Sequence, residues 1–173
     1  MVDHSPREGL GGIREMTRED WPRVEEIFVQ GIETGLATFE TDSPGWEAWD
    51  AEHLPACRLV AVEDEKVLGW AALAPVSDRC VYGGVAEVSV YVDDGWRGRG
   101  LGTLLLRRLI DSSEEDGIWT LQAGIFPENV GSVRVHEKLG FKALGVRERL
   151  GKLGGEWRDV LFLERRSRRV GID

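Results

Sequence analysis

Hydrophobic side chains recur along this chain with two different periods, which divide it into strands and helices. Apolar runs typical of strands cover residues 13–16, 58–63, 67–74, 85–92, 119–125, 141–149 and 156–164. Apolar residues at helical spacing predict helices over 17–31, from 43 through Trp49, over 101–116 and over 128–139. This order, βααβββαβαββ, predicts a mixed α/β fold, with one sheet and helices on both of its faces.

The segment between the strand at 85–92 and the helix at 101–116 is unusually rich in glycine and arginine. It reads Asp93-Asp94-Gly95-Trp96-Arg97-Gly98-Arg99-Gly100-Leu101-Gly102. The N–H groups at a helix start carry partial positive charge, and glycines let a ligand approach the backbone closely. Arginine side chains add positive charge beside them. A flexible basic turn or an RNA-binding Arg-Gly tract is the alternative, but such tracts repeat and are disordered. The segment therefore predicts a pyrophosphate site.

Composition narrows the classes of function. The 173 residues, 42% of them hydrophobic, predict one globular domain. A net charge of −9 argues against a nucleic-acid partner, because binding a phosphate backbone needs a broad basic surface. Cys57 and Cys80 show no metal-ligand spacing and no disulfide framework, so we expect a reducing, cytoplasmic location and no metal.

No apolar run is long enough for a transmembrane helix, so no membrane partner is expected. Residues 1–12 are polar and glycine-rich and are expected to form a flexible N-terminal extension. Residues 167–173 are expected to form a loose C-terminal tail. A single domain over 13–166 lies between them.

The glycine-rich segment fits a known nucleotide signature. Arg97-Gly98-Arg99-Gly100-Leu101-Gly102 matches the Arg/Gln-x-x-Gly-x-Gly/Ala motif of the GNAT acyltransferase superfamily, and the element order over 13–166 resembles that family too. Further stretches resemble its phosphinothricin acetyltransferase branch: Ala37-Thr38-Phe39-Glu40-Thr41, Val85-Ala86-Glu87-Val88-Ser89-Val90-Tyr91-Val92, Phe126-Pro127-Glu128-Asn129, Val135-His136-Glu137-Lys138-Leu139-Gly140-Phe141 and Gly155-Glu156-Trp157-Arg158-Asp159-Val160. The resemblance implies a GNAT fold with about seven strands, acetyl transfer from acetyl-CoA to an amine, and a homodimer whose active site lies near the interface.

Three segments resemble a sub-branch linked to arsinothricin, the arsenic analogue of phosphinothricin. They are Gly83-Gly84-Val85-Ala86-Glu87, Thr120-Leu121-Gln122-Ala123-Gly124-Ile125 and Glu164-Arg165-Arg166-Ser167. The resemblance implies acetylation of the α-amine of arsinothricin, phosphinothricin, methionine sulfone or methionine sulfoximine, giving resistance or detoxification. Val85 departs from the branch, because many of its members carry threonine there.

Two residues are expected to be catalytic. A carboxylate in partly apolar surroundings has a raised pKa, which suits Glu87 as a general base, and the resembled family has its proposed base there, acting directly or through water. The alternative is a glutamate on the solvent face of the sheet. His136 occupies the position of a tyrosine that protonates the leaving thiolate in many GNAT enzymes. A histidine could do the same, help take the amine proton, or be a half-buried helix residue without a catalytic role.

The resemblance also implies how acetyl-CoA is held. Backbone groups of Val90 and Val92 would pair with the pantetheine arm in a splay of the sheet, while their side chains remain strand core. The residues expected to contact the coenzyme are Val90, Tyr91, Val92, Arg97, Gly98, Arg99, Gly100, Leu101, Gly102, Thr103, Asn129 and Ser132. At Asn129, helix capping and contact with the coenzyme compete for one side chain.

The expected substrate site consists of Phe39, Arg79, Tyr82 and Trp157. Arg79 and Tyr82 match a family Arg…Tyr pair that precedes the catalytic strand, and an arginine can bind a carboxylate through two parallel hydrogen bonds. Phe39 and Trp157 would form apolar walls. The alternatives are a solvated loop charge for Arg79 and ordinary core positions for the two aromatic residues.

Two other functions are compatible with the same fold. A protein N-terminal or ribosomal-protein acetyltransferase needs an open groove for a peptide, whereas the Phe39 loop and the C-terminal hairpin favour a closed pocket. A CoA-binding regulator without catalysis would not need titrating residues at the catalytic positions, and this chain retains Glu87 and His136. An amino-acid N-acetyltransferase is therefore the leading hypothesis.

Overall fold

The computed structural model describes residues 12–173, which form one sheet flanked by helices. Its strands are β1 (Gly12–Glu15), β2 (Leu59–Glu63), β3 (Lys66–Pro75), β4 (Val85–Val92), β5 (Thr120–Ile125), β6 (Lys142–Leu153) and β7 (Glu156–Arg166). Its α-helices are α1 (Trp21–Glu33), α2 (Trp46–Glu52), α3 (Leu101–Glu115) and α4 (Val130–Lys138). The expected N-terminal extension lies outside the described residues, except for Gly12, which begins β1.

The sheet is mixed, as predicted. Its strand order is β1-β2-β3-β4-β5-β7-β6. The pairing of β4 with β5 is parallel, and the other neighbouring strands are antiparallel. A parallel pair needs a crossover connection, and α3 supplies it between β4 and β5. The single parallel pair therefore lies in the middle of the sheet.

The two faces of the sheet carry separate hydrophobic clusters. The leucines of α3 pack on one face against apolar residues of β2 to β5, with Leu105, Leu106 and Leu109 fully buried. On the other face, α1 and α2 pack an aromatic cluster around Trp49 and Trp70. This arrangement confirms the predicted helices on both faces.

Some element boundaries differ from those expected, for local reasons. The second helix begins at Trp46 rather than near residue 43, because Gly45 has a φ of 77° that is not helical. The last helix begins at Val130 rather than residue 128, because Asn129 serves as its N-cap. The Asp20 carboxylate accepts from the Thr17 N–H at 2.8 Å, and a short 3₁₀ turn precedes α1, which begins at Trp21 rather than residue 17.

The residues after β7 are held against the domain. The Ser167 side chain is buried and donates to Glu114 Oε1 at 2.9 Å. Arg169 pairs with Glu114 Oε2 at 3.2 Å, and the Arg166 guanidinium donates to the Trp119 and Val170 carbonyls. The polar composition of residues 167–173 predicted a loose tail. The contacts found here join segments that lie far apart in the sequence, so a local pattern does not reveal them.

Among the described residues, the helices do not combine the length and hydrophobicity that crossing a membrane requires.

Candidate active site

The site is built around a gap between two neighbouring strands. β4 and β5 pair only from Val85 to Glu87, where Glu87 lies opposite Gln122. Beyond that point β5 continues beside β7, and β4 continues beside β3 up to Val92. The sheet therefore opens into a fork, and Glu87 lies at its apex.

Polar backbone groups of β4 point into this gap. The Asp93 N–H donates to the Leu68 carbonyl of β3 at 2.8 Å. Because successive N–H groups along a strand point to opposite sides, those of Val90 and Val92 point away from β3, toward the gap. The backbone of Tyr91 faces β3 instead. The gap thus exposes backbone N–H groups at the two valines predicted to bind the pantetheine arm, while the Val92 carbonyl accepts from Arg97 Nε at 3.4 Å.

The loop that follows β4 is anchored to α1. Asp93 binds Arg23 Nη2 at 2.5 Å and Gln30 Nε2 at 3.1 Å, and it accepts from the Gly95 N–H at 3.1 Å. Gln30 also accepts from the Asp94 N–H at 3.0 Å. These contacts set the position from which the glycine-rich loop departs.

The loop ends in an open helix terminus. Gly98 and Gly100 have φ values of 72° and 84°, a left-handed backbone that glycine adopts without steric cost. Gly100 is the N-cap of α3, and the first helical hydrogen bond runs from the Leu104 N–H to the Gly100 carbonyl. The N–H groups of Leu101, Gly102 and Thr103 precede that bond, so they are available to an anion.

The two arginines of the loop make different contacts. Arg97 lines the cavity at the helix terminus, and its Nη1 pairs with Asp94 Oδ1 at 2.8 Å. The Arg99 guanidinium lies 4.9 Å from the centre of the Trp96 ring and is not among the cavity-lining residues. Of the two arginines, Arg97 lines the cavity that Leu101, Gly102 and Thr103 also line, and the coenzyme contacts of both remain predictions.

Two adjoining cavities of about 390 Å³ each occupy this region. The loop cavity is lined by the glycine-rich loop, the first turn of α3 and α4. The Glu87 cavity is lined by β4, the segment from Leu36 to Glu40, β5 and the β6–β7 hairpin. They share the wall residues Leu36, Ala37, Val90, Tyr91, Asn129, Ser132 and His136. All predicted coenzyme residues except Arg99 thus line one continuous cleft together with Glu87 and His136.

Glu87 is open to its cavity but surrounded by protein. Ala86 and Val88, which flank it, are buried on the α3 face of the sheet, so the Glu87 side chain lies on the opposite face. Although water reaches the carboxylate through the cavity, desolvation raises its pKa above the ordinary value. A carboxyl group with a raised pKa can accept and release a proton nearer to neutral pH.

His136 is buried and held in one tautomer. Its side chain lies against the Phe141 ring, and its Nδ1 is 2.7 Å from the Ser132 carbonyl oxygen. A carbonyl oxygen only accepts, so Nδ1 carries the hydrogen, and Nε2 of the neutral ring is a proton acceptor. Burial lowers the pKa of His136, which favours this neutral form.

Asn129 performs several tasks at once. Its Oδ1 accepts from the Ser132 N–H at 3.3 Å and caps α4, while its Nδ2 donates to the Leu36 carbonyl at 3.2 Å. The side chain therefore ties α4 to the segment after α1 and also lines both cavities. Asn129 therefore caps α4 and lines the cleft at the same time.

An arginine that the sequence did not single out supports one cavity wall. Phe39 packs edge-on against Phe126, with ring centres 4.9 Å apart. Arg158 of β7 stacks on the other aromatic residue, 4.1 Å from the Phe126 ring centre, and donates to the Gly35 carbonyl at 3.0 Å. Phe39 thus lies in the wall of the Glu87 cavity, where an apolar substrate contact was predicted.

Three predicted substrate residues are not among those lining either cavity: Arg79, Tyr82 and Trp157. The Arg79 guanidinium lies 5.4 Å from the centre of the exposed Tyr82 ring, and Trp157 is 55% exposed. Instead, β6 supplies Arg147 and Leu150 to the Glu87 cavity. No local motif marked these two residues, because their position depends on how β6 pairs with β7.

Similarity to known proteins agrees with this architecture. Over residues 13–141 the chain matches the acetyltransferase (GNAT) family. The chain belongs to this family. Its GNAT relatives include the L-methionine sulfoximine/L-methionine sulfone acetyltransferase of Salmonella typhimurium, 35% identical over 88% of this chain and 92% of that protein. They also include the phosphinothricin N-acetyltransferase of Streptomyces coelicolor, 34% identical over 88% and 94%.

A solved structure extends the comparison to the coenzyme. An acetyltransferase from Salmonella typhimurium, solved with its cofactor acetyl-CoA, has a TM-score of 0.84 to this GNAT chain at 27% identity. The similarity covers 96% of this chain and 99% of that one. The predicted GNAT fold is confirmed, and the chain is an acetyl-CoA-dependent N-acetyltransferase of the phosphinothricin and methionine sulfoximine acetyltransferase branch.

Proposed function

We propose that this enzyme transfers the acetyl group of acetyl-CoA to the α-amine of a phosphinothricin-like amino acid, in resistance or detoxification. Candidate substrates are arsinothricin, phosphinothricin, methionine sulfone and methionine sulfoximine. The observation that carries the proposal is the position of Glu87 at the apex of the β4–β5 fork, where the two cavities meet around His136. The names of the related enzymes support the same substrate class.

In the proposed reaction the coenzyme lies along the fork. Its pantetheine arm pairs with the gap-facing backbone of Val90 and Val92, and its pyrophosphate binds the N–H groups of Leu101, Gly102 and Thr103. A strand N–H of β4 polarises the thioester carbonyl, as an oxyanion donor does. Arg97 adds positive charge at the pyrophosphate end of the cleft.

Glu87 then accepts the proton that the substrate ammonium must lose, directly or through water. The free amine attacks the thioester carbonyl carbon, a C–N bond forms and the C–S bond breaks. The coenzyme leaves as a thiolate, the attacking nitrogen loses its second proton to become the amide, and the thiolate takes up one proton to give free CoA. Because His136 is neutral with Nε2 unprotonated, it fits a role in accepting or relaying a proton better than one as a standing acid.

The proposal includes a homodimer. Within residues 12–173, β6 is the last strand of the sheet, so one of its edges is unpaired there. Leu144 and Val146 on this strand are 56% and 52% exposed, although long apolar edge strands usually pair or are covered. Since Leu150 of the same strand lines the Glu87 cavity, a partner at β6 would lie next to the site.

The test is release of free CoA by purified enzyme with a panel of amines. It comprises the four candidate amino acids, unmodified methionine and glutamate, and a peptide with an N-terminal alanine. We expect turnover to be fastest with one of the four candidates, because the cavity of about 390 Å³ suits a small amino acid. Faster turnover of the peptide would favour protein N-terminal acetylation, and coenzyme binding without any turnover would favour a regulator.

A further inference from the structure

One arginine lies on the wall of the Glu87 cavity that is opposite β4. Arg147 of β6 is the single lysine or arginine among the described residues that line this cavity, and the other charged lining residues are Glu40 and Glu87. Within residues 12–173 the Arg147 guanidinium has no ion pair and no hydrogen bond. The Arg147 guanidinium therefore has no protein partner there, and it lines a cavity whose other charged residues are acidic.

The position of Arg147 follows from a distortion of β6. Arg147 pairs with Val160, whereas the next pair is Gly151 with Arg158, so β6 advances four residues while β7 advances two. Bulges of this kind redirect side chains and are common beside active sites. This one follows Arg147 directly.

A hydrogen bond and close packing hold the distortion in place against its backbone strain. Arg149 has a φ of 46°, a left-handed conformation that is unusual for arginine, and its N–H donates to Asp159 Oδ1 at 2.8 Å. A Cβ added at Gly151 would lie 3.0 Å from Phe39 Cε1. The bulge therefore packs against the Phe39 loop and brings Leu150 to the cavity with Arg147.

The strand order places Arg147 far from Glu87. β5 and β7 lie between β4 and β6, and three strand spacings make about 14 Å between the two backbones. The α-carboxylate of an amino acid is attached to the same carbon as the amine, so it remains close to the amine at Glu87. An acid group at the end of the substrate side chain can extend toward β6.

We propose that Arg147 binds the side-chain acid group of the amino-acid substrate; this inference rests on the proposed function. Two parallel N–H donors of a guanidinium match two oxygens of a phosphinate, an arsenic oxyanion or a carboxylate. The positive charge also offsets repulsion between that acid group and the carboxylates of Glu40 and Glu87. Arg147 thereby selects amino acids with an anionic side chain over neutral analogues of similar length.

The test compares two substrates in the variants Arg147→Met and Arg147→Lys. Methionine keeps most of the side-chain length and removes the charge, whereas lysine keeps the charge but lacks the two parallel N–H donors of the guanidinium. For phosphinothricin, with its side-chain phosphinate, we expect kcat/KM of Arg147→Met to fall roughly 10–100-fold, mainly through KM. For methionine sulfone, whose side chain is neutral, we expect a change within about twofold, and lysine should restore part of the phosphinothricin activity.

The matched control is Arg134→Met, on the exposed surface of α4 and outside both cavities. It should leave both substrates unchanged, and melting temperatures verify that each variant folds. Equal losses for both substrates in Arg147→Met, or no loss for phosphinothricin, would overturn the role of Arg147 alone. Absence of turnover of every candidate amine by the unmodified enzyme would instead overturn the proposed function, and this inference with it.

Discussion

The chemistry of the site depends on a few side chains whose surroundings change their ordinary behaviour. Burial raises the pKa of Glu87 and lowers the pKa of His136, so both groups are shifted toward their neutral forms. For Glu87 this makes protonation easier, and for His136 it makes protonation harder. Near neutral pH each group can therefore accept a proton, and both line the Glu87 cavity.

The first prediction concerns Glu87→Gln. Removal of the base should lower kcat by roughly 10²–10⁴, with little change in KM for acetyl-CoA, because Glu87 does not line the loop cavity. The conservative control Glu40→Gln removes a carboxylate from the same cavity wall and should change kcat less than about threefold. Steady-state CoA release measures both, and a fast Glu87→Gln enzyme would contradict the assignment.

The pH dependence provides a second test of the same residue. Because the pKa of Glu87 is raised, its carboxylate becomes protonated on acidification at a higher pH than an ordinary glutamate. The rate should therefore fall as the pH drops through this raised pKa, with full activity above it. Profiles of kcat/KM from about pH 5 to 9 should show this acid limb in the wild type, and Glu87→Gln should lose it.

At the scale of elements, the fork between β4 and β5 and the terminus of α3 create the coenzyme site. Gly31 allows α1 to pack closely on β4, since a Cβ there would lie 2.6 Å from the Tyr91 ring. The Tyr91 ring in turn stacks on Trp70 at 4.8 Å, and burial raises its pKa to about 12. This packing positions β4 against α1 at the cleft wall that Tyr91 lines.

We predict that Gly100→Ala raises KM for acetyl-CoA. Open space surrounds a Cβ at this position, so the cost comes from the left-handed backbone alone, about 1–2 kcal/mol. If the loop shifts to relieve that strain, KM should rise roughly 5–30-fold. Gly154→Ala, with a φ of 58° and equally open space in the β6–β7 turn, is the control. It should lower the melting temperature similarly and leave KM unchanged; an equal KM increase would contradict the prediction.

At the scale of the whole molecule, Glu114 links the end of α3 to β7 and to the residues that follow β7. Glu114 at the end of α3 accepts from Arg165 of β7 and from Ser167, and it pairs with Arg169. Burial alone would raise the pKa of Glu114, but the Ser167 and Arg165 hydrogen bonds outweigh it and hold the pKa below the ordinary 4.5. Its charged form therefore stabilises the folded state.

Glu114→Gln should lower the free energy of unfolding by about 2 kcal/mol at neutral pH, because Arg165 and Ser167 lose a charged acceptor. A depressed carboxyl pKa gives stability above about pH 4.5 that is lost as the pH falls through the folded value. The difference between wild type and variant should therefore shrink in acid. Urea unfolding at several pH values measures it, and a constant difference would contradict this linkage.

The oligomeric state is also a property of the whole molecule. If β6 forms the proposed dimer interface, the native mass should be twice the 19.3 kDa of the chain. Val146→Lys together with Leu144→Lys places charges on the exposed edge strand and should yield monomers. Light scattering after gel filtration measures the mass. A monomeric wild type would refute the dimer, and lysine substitution at the exposed Val130 on α4 is the control.

The amino-acid sequence by itself determined the element order, the mixed sheet, the glycine-rich loop and the family. These features depend on periodicity and turn chemistry among near neighbours, as in the strand over 85–92 and the loop up to Gly102. It also identified Glu87 and His136, which both line the Glu87 cavity. Their catalytic roles remain predictions.

Only the tertiary structure decided which distant segments meet. The divergence of β5 from β4 after Glu87 depends on the pairing of β5 with β7, and no local pattern encodes it. The bulge after Arg147 depends in the same way on the β6–β7 register. For this reason local motifs did not mark Arg147, which lines the cavity, whereas Arg79 and Trp157 do not line it; the substrate contacts of all three remain predictions. Strand register is a long-range property, set by the packing of whole faces rather than by neighbouring residues.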